Sequence, residues 1–527
     1  MFRLDHNALQ NRLMWGIKAL ALLVILSATS CAHTIGTALC RSGEACTYDP
    51  AIGYRFHPEW KPDRQTLTMV TLSGGGTRAA ALAYGALSAL ANLPADQTRT
   101  GSLLDGVDMM SSVSGGSVTA AWYALHGPAG FSAPADAPLR AALTGNGTLA
   151  LALRTYNPLA LAAYAITPYQ RSDVLASYFD QLLFHGATFA DVEARYRANP
   201  QTQGFVVLNA SDLGHETRFP FIQNRFDWLC SDLAPVRLAD GVAASADFPF
   251  AFSAVGLRNR SPCAAQRLPS WAEEGPPAWL QRYARFDLAT SARPDAEARL
   301  PGTGELRGLR EARIAESYLV PVAGDRVLHL LDGGLVDNLG IQSVLDLEDT
   351  PGAEPGLDRR IGESRPAAYA NIRHLLFVVV NARTKDPTGI DSSVYPPDEL
   401  STALRVVDTP LSNAVLETQT LLSAELQVAT GVAPRLAGSA TPAGSATPSR
   451  ADLVTVDFEF IPDAVCRKWF WSQPTSWNLP PATVQALIAM GRTLVLLSPG
   501  LREYLKVVGA PAPPPADFST ACASAWK

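Results

Sequence analysis

Twice within residues 65–124 this chain runs from a strand-like segment through a glycine turn into an alanine-rich stretch. Gln65 to Leu72 alternates and is rich in β-branched residues, which reads as a strand. Gly74-Gly75-Gly76 follows at once, and Arg78 to Leu93 has the composition of a helix. Val107 to Met110 is a second apolar run, and Gly116 to Ala124 a second small, apolar helix. Strand–turn–helix units in series favour an α/β fold with a parallel sheet covered by helices on both faces. The alternation continues over residues 63–385, which are read as one domain.

The second turn carries Ser114. A serine on a sharp bend between strand and helix is a nucleophile elbow, and it needs small neighbours because the helix packs close to the strand. Gly115 and Gly116 meet that need, and Ser112 stands where the pattern has its first glycine, a fit that requires a negative φ. Ser111, Ser112 and Ser117 are rival nucleophiles without the elbow spacing. The competing reading is a Gly/Ser-rich loop with no chemistry.

Gly74-Gly75-Gly76 exposes backbone N–H groups at a helix N-terminus, which suits an anion. That anion is either a nucleotide phosphate or the oxyanion of an acyl-transfer intermediate. No Gly-Lys-Ser/Thr follows and no third glycine is placed for a dinucleotide fold, so the oxyanion reading stands. Arg78 either braces this loop or attracts an anionic head group, with bracing favoured.

Val327 to Leu331 reads as a strand that ends in Asp332-Gly333-Gly334. A carboxylate there can take the proton of Ser114 directly. The alternative is an Asp-Gly turn in which Asp332 bonds its own loop. A conventional triad needs a histidine, yet none of the eight sits in a comparable glycine turn. His329 is nearest, and strand alternation points it away from Asp332. Asn338 is expected to cap a helix from Leu339 to Leu347.

These pieces, in this order, resemble the patatin-like phospholipase family: Gly74-Gly75-Gly76-Thr77-Arg78, Val113-Ser114-Gly115-Gly116 and Asp332-Gly333-Gly334. Asn209 to Leu213, Glu216 to Phe219 and Ala243 to Pro249 resemble further family segments, so the likeness covers roughly residues 64–385. Ser112 and Ala79 stand where that family usually has glycine. The resemblance implies a three-layer α/β/α hydrolase with a mostly parallel sheet and a Ser–Asp dyad. Ser114 would attack an ester carbonyl, Asp332 would act as base, and the N–H groups of Gly75 and Gly76 would hold the oxyanion. The acyl-enzyme would then release a fatty acid from a phospholipid or related lipid. Two other functions stay open: an esterase or thioesterase on another acyl substrate, and a catalytically inactive envelope lipoprotein that binds lipid.

Arg3, Arg12 and Lys18 precede the apolar run Ala19 to Leu26, then small residues, then Cys31. This describes a secretory signal over residues 1–30. The Cys31 context resembles a bacterial lipobox, which implies a lipidated Cys31 anchoring the chain to a membrane. Ala32, which is not Asp, favours an outer-membrane lipoprotein facing the periplasm. An ordinary signal with an incidental Cys31 and an uncleaved anchor are the alternatives.

Six further cysteines in an exported chain suggest disulfides: Cys40–Cys46 first, then Cys230–Cys263 and Cys466–Cys522 by proximity. No cysteine or histidine spacing suggests zinc, and neither metal nor cofactor is expected. A net charge of −6 gives no reason to expect nucleic acid. The sequence names no protein partner.

Residues 31–62 read as a tether and 386–527 as a C-terminal extension packed on the hydrolase. Leu159 to Tyr169 is either an apolar helix lining an acyl site or plain core, with core favoured. Residues 264–315 are either a lid or a surface excursion, with the excursion favoured. A duplicated Ala-Gly-Ser-Ala-Thr-Pro at residues 437–448 reads as a flexible loop. Ser401 to Ala429 reads as helices, Leu453 to Ile461 as a strand, and Ala482 to Val495 as a helix with proline at its start.

Overall fold

The computed structural model describes residues 34–39, 52–61, 63–95, 101–167, 169–249, 251–261, 318, 326–346, 371–385, 414–424, 426–427 and 450–525. The leader with Cys31, the Cys40–Cys46 loop, Cys263, segment 264–315 and the duplicated hexapeptide lie outside them.

Among the described residues, nine strands form one sheet: β1 (Thr34–Ile35), β2 (Thr66–Leu72), β3 (Met109–Val113), β4 (Phe205–Asp212), β5 (Thr217–Pro220), β6 (Val255–Asn259), β7 (Arg326–Asp332), β8 (His374–Asn381) and β9 (Arg450–Asp457). Their order is β1-β6-β7-β4-β3-β2-β8-β9, with β5 paired to β4. Five pairings are parallel: β1–β6, β4–β3, β3–β2, β2–β8 and β8–β9. The three antiparallel ones, β4–β5, β4–β7 and β6–β7, lie on one side of the sheet.

Successive residues of a strand point to opposite faces. In β3 and β4 every residue is buried, and in β2 and β8 every residue but the first. Both faces are therefore covered, which makes the fold a three-layer α/β arrangement. Each fully buried Leu, Val or Phe of these strands contributes roughly 1.5–3 kcal/mol over an exposed one. The covering helices include α1 (Gly76–Ala91), α2 (Gly115–His126), α3 (Leu238–Ala246) and α4 (Pro481–Leu497). Helix α4 packs along α1, and α2 packs against both α1 and α3.

The chain beyond residue 385 completes the same sheet. β9 runs alongside β8 from His374↔Arg450 to Asn381↔Asp457. It stops at Asp457 rather than at Ile461, because the Asp457 carboxylate accepts the Glu459 N–H at 2.8 Å and turns the chain. A disulfide joins Cys466 to Cys522, as proximity suggested. Cys230 is also disulfide-bonded.

Two local expectations fail. Asn338 does not start the following helix: it stands at the C-terminal end of the short helix Gly334–Asp337, and the Asp337 carboxylate accepts the Gln342 N–H at the start of Ile341–Asp346. Leu159 to Tyr169 is not plain core. Its helix, Pro158–Ile166, buries Tyr164 but leaves Leu159 84% exposed. Its residues carry no polar stripe, so composition alone could not show which side faces water. Among the described residues, no single helix is long and apolar enough to cross a membrane.

Candidate active site

The parallel strands β2, β3 and β8 end at one edge of the sheet, where open α/β sheets place their ligands. β3 runs through Val113, and Ser114 follows with φ 52° and ψ −124°. This left-handed bend costs a non-glycine residue roughly 1–3 kcal/mol and persists only where its surroundings enforce it. The Ser114 N–H is held by the Ser245 carbonyl at 3.1 Å and by Ser245 Oγ at 2.9 Å. Gly115 allows the close approach: a Cβ there would lie 2.0 Å from the Gly76 carbonyl oxygen. Ser112 keeps a negative φ, as its place in the pattern requires.

Ser114 Oγ donates to Asp332 Oδ2 at 2.7 Å. Asp332 Oδ1 accepts the Gly334 N–H at 2.8 Å, which fixes the carboxylate plane. Burial pushes the Asp332 carboxyl up from its ordinary 3.8 to about 6, with the bonds from Ser114 and Gly334 working the other way. The carboxylate is thus available near neutral pH and more basic than an exposed one. His329 lies on the exposed side of β7, and no histidine is among the described residues lining the cleft.

The rival serines do not face that cleft. Ser111 Oγ accepts from the Asn209 amide at 2.9 Å, and Ser112 Oγ lies 3.1 Å from Ser117 Oγ. Ser117 Oγ is 2.8 Å from Ser245 Oγ. All three are fully buried.

The glycine loop closes the other side of the cleft. Gly74 lines it but gives its N–H to the Asn338 carbonyl at 3.1 Å, which removes Gly74 as a donor to a bound anion. Among the described residues, the N–H groups of Gly75 and Gly76 meet no backbone acceptor. Gly75 has φ 136°, a value that L side chains rarely adopt. Arg78 is the brace: Nε donates to the Ala382 carbonyl at 2.8 Å, Nη1 to Gln473 O at 2.5 Å and Nη2 to Thr475 Oγ1 at 3.0 Å. Its guanidinium ties the loop after β2 to the loop after β8 and to residues 473–475.

Support for the pair comes from residues to which the sequence assigned no role. The Ser245 carbonyl, at the end of α3, accepts from both Ser114 N and Gly333 N, at 3.1 Å each. One carbonyl therefore sets the spacing between the serine turn and the aspartate turn. Asn209 reaches Ser111 Oγ and the Ser112 carbonyl through its amide, and its Oδ1 accepts from Ser343 Oγ at 2.7 Å. Asp247 is fully buried, and among the described residues neither carboxyl oxygen has a hydrogen-bond partner. Burial first, and then the nearby Asp332 charge, push the Asp247 carboxyl well above the usual carboxylate range.

Sheet, elbow and carboxylate together have the architecture of an α/β serine acyl hydrolase. Residues 70–345, more than half of the chain, match the patatin-like phospholipase family, and the chain belongs to that family. Among solved structures it is similar to human GIVD cytosolic phospholipase A2, at 14% identity and a TM-score of 0.41, covering 89% of this chain and 62% of that one. The same human enzyme with a methyl gamma-linolenyl fluorophosphonate inhibitor and terbium chloride matches at 13% identity and a TM-score of 0.37, covering 88% of this chain. The likeness thus spans less than two thirds of that enzyme's chain. No curated protein sequence matches.

Proposed function

We propose that this protein is a lipid acyl hydrolase that cleaves carboxylic esters of phospholipids or related lipids, with Ser114 as nucleophile and Asp332 as base. The observation that carries the reading is the 2.7 Å hydrogen bond between Ser114 Oγ and Asp332 Oδ2 at a strained turn. Asp332 takes the Ser114 proton as Oγ attacks the ester carbonyl. Negative charge then develops on the carbonyl oxygen, and the N–H groups of Gly75 and Gly76 stabilise it. The tetrahedral intermediate collapses, Asp332 returns the proton to the leaving alcohol, and an acyl-Ser114 ester remains. Water, deprotonated by Asp332, attacks that ester; the acyl–Oγ bond breaks, Asp332 returns the proton to Ser114 Oγ, and the fatty acid leaves.

Lipidation of Cys31 would hold this chemistry at the bacterial envelope, on an outer-membrane leaflet facing the periplasm. Enzyme and substrate then share a two-dimensional phase, which raises the effective concentration of substrate. Incubation of the full chain with mixed phospholipid micelles tests the function. Release of free fatty acid by the wild type and its loss in Ser114→Ala is the expected result. Equal release by both proteins contradicts it.

A further inference from the structure

A second cavity of about 400 Å³ opens beside the catalytic cleft, at the carboxyl ends of β8 and β9. Among the described residues, one cation borders both spaces: Arg383, two residues past the end of β8. Its backbone N–H is held by Asn381 Oδ1 at 3.1 Å, so the start of the side chain is fixed by the strand end. Its Nε is buried and has no hydrogen-bond partner among the described residues. Arg78, the other arginine on the cleft, has all three guanidinium nitrogens bonded to protein oxygens.

The other charges of the second cavity are already paired. Lys385 bonds Glu459 and stands 4.9 Å from the Trp471 ring centroid. Asp457 accepts the Asn381 amide and the Glu459 N–H. Among the described residues, no carboxylate lies within ion-pair distance of Arg383. A buried guanidinium N–H without an acceptor is costly, and an anion that supplies one recovers that free energy. The planar fork of arginine matches two phosphoryl oxygens. Phe460, Trp471 and Leu422 line the same cavity and suit a ligand that is only partly polar.

We propose that Arg383 binds the phosphate of the substrate head group while the ester carbonyl sits at Ser114, and that the second cavity receives the rest of the head group. This rests on the hydrolase reading above and deepens it: Arg383 would be the residue that selects phospholipids over neutral glycerides. It is a positioning and specificity residue, and the acyl chemistry does not pass through it.

The test compares a glycerophospholipid with a diacylglycerol of the same chains in the same detergent micelles, using the full chain. Arg383→Gln is expected to lower the ratio of kcat/KM for phospholipid over diacylglycerol by about 10- to 100-fold, the size of one hydrogen bond to a charged group, chiefly through KM. Arg383→Lys, which keeps the charge but not the fork, should recover part of that ratio. An unchanged ratio in Arg383→Gln overturns the proposal, whether both activities fall together or neither falls.

A measurement on the wild type alone guards against a variant that fails to fold. Glycerol 3-phosphate should inhibit hydrolysis of an uncharged short-chain ester competitively, and more strongly than inorganic phosphate or glycerol. Equal inhibition by inorganic phosphate and glycerol 3-phosphate would assign a free-phosphate site and overturn the head-group assignment, as would no inhibition at all. Fluorophosphonate labelling of Ser114 separates this proposal from the one it rests on. If labelling succeeds and the ratio is unmoved, only the role of Arg383 falls; if labelling fails, the hydrolase reading falls.

Discussion

Ser114 and Asp332 are 218 residues apart in the chain, and their side chains meet at 2.7 Å. The Ser245 carbonyl, bonded to the N–H groups of Ser114 and Gly333, holds the two turns together. If the two side chains act as one unit, their removal should not be additive. Ser114→Ala and Asp332→Ala should each lower ester hydrolysis by about 10⁴-fold or more, and the double variant by hardly more than either. Histidines replaced one at a time should leave substantial activity. Steady-state kinetics with a soluble ester decides this, and a histidine as essential as Ser114 would refute the dyad.

The pH profile follows from the burial of Asp332, whose carboxyl is pushed up to about 6. The base form is present above that value, so kcat/KM should rise with unit slope below pH ~6 and level off above it. Because the Ser114 hydroxyl bond lowers the Asp332 value, Ser114→Ala should raise it further, as a carboxyl titration by NMR would show. Stability moves the opposite way. The folded state holds this proton between 3.8 and about 6 while the unfolded chain does not. The contribution is full below 3.8 and is lost as pH rises through about 6. Asp332→Asn should therefore be more stable than wild type at pH 7, by at most about 3 kcal/mol, and the gap should shrink toward pH 4.

Gly75→Val places a β-branched side chain at φ 136° in the loop that we propose holds the oxyanion. Turnover should fall by about 10²–10³-fold, the usual effect of losing one such donor, with much less change in lipid binding. Comparing kcat with the Kd for a non-hydrolysable lipid ether separates the two. Equal losses would point to a structural role.

The Cys466–Cys522 bond closes a loop of 56 residues between two helices of the C-terminal region. Cys522→Ala should lower stability by about 2–4 kcal/mol, read as a drop in Tm against the oxidised wild type. An unchanged Tm would mean that the bond constrains little.

Anchoring is tested at the N-terminus. Cys31→Ser should release the protein from the membrane fraction or block its maturation. Mass spectrometry of the mature wild-type N-terminus should find a diacylglyceryl-modified Cys31. An unmodified peptide that begins before or well after Cys31 would refute the anchor and leave the hydrolase reading untouched.

Much of this fold was legible because its signals are local. The β-branched alternation of β2, the glycines after it and the Ser-Gly-Gly bend each lie within a few residues. The strand carrying Asp332 was legible as a strand, but its antiparallel pairing with β4 was not, since that depends on partners more than 100 residues away. Ser245 and Asn209 were noted only as parts of a family pattern. Their hydrogen bonds span 131 and 98 residues, and no local periodicity reports them. Leu159 misled because alanine and leucine suit a buried helix and an exposed apolar one equally. Gly74 misled because its own N–H is claimed by the carbonyl of Asn338, remote in sequence. Arg383 gave no signal at all: a lone arginine after a strand acquires meaning only from the two cavities it borders.

The most direct test of the account is the site of covalent labelling. The full chain, reacted with a fluorophosphonate and digested, should carry the phosphonyl group on Ser114 and on no other serine. Labelling should be lost in Ser114→Ala and strongly slowed in Asp332→Asn, because the hydroxyl then lacks its base. Labelling of Ser111, Ser112 or Ser117, or undiminished labelling of Ser114→Ala, would contradict the assignment of nucleophile and base.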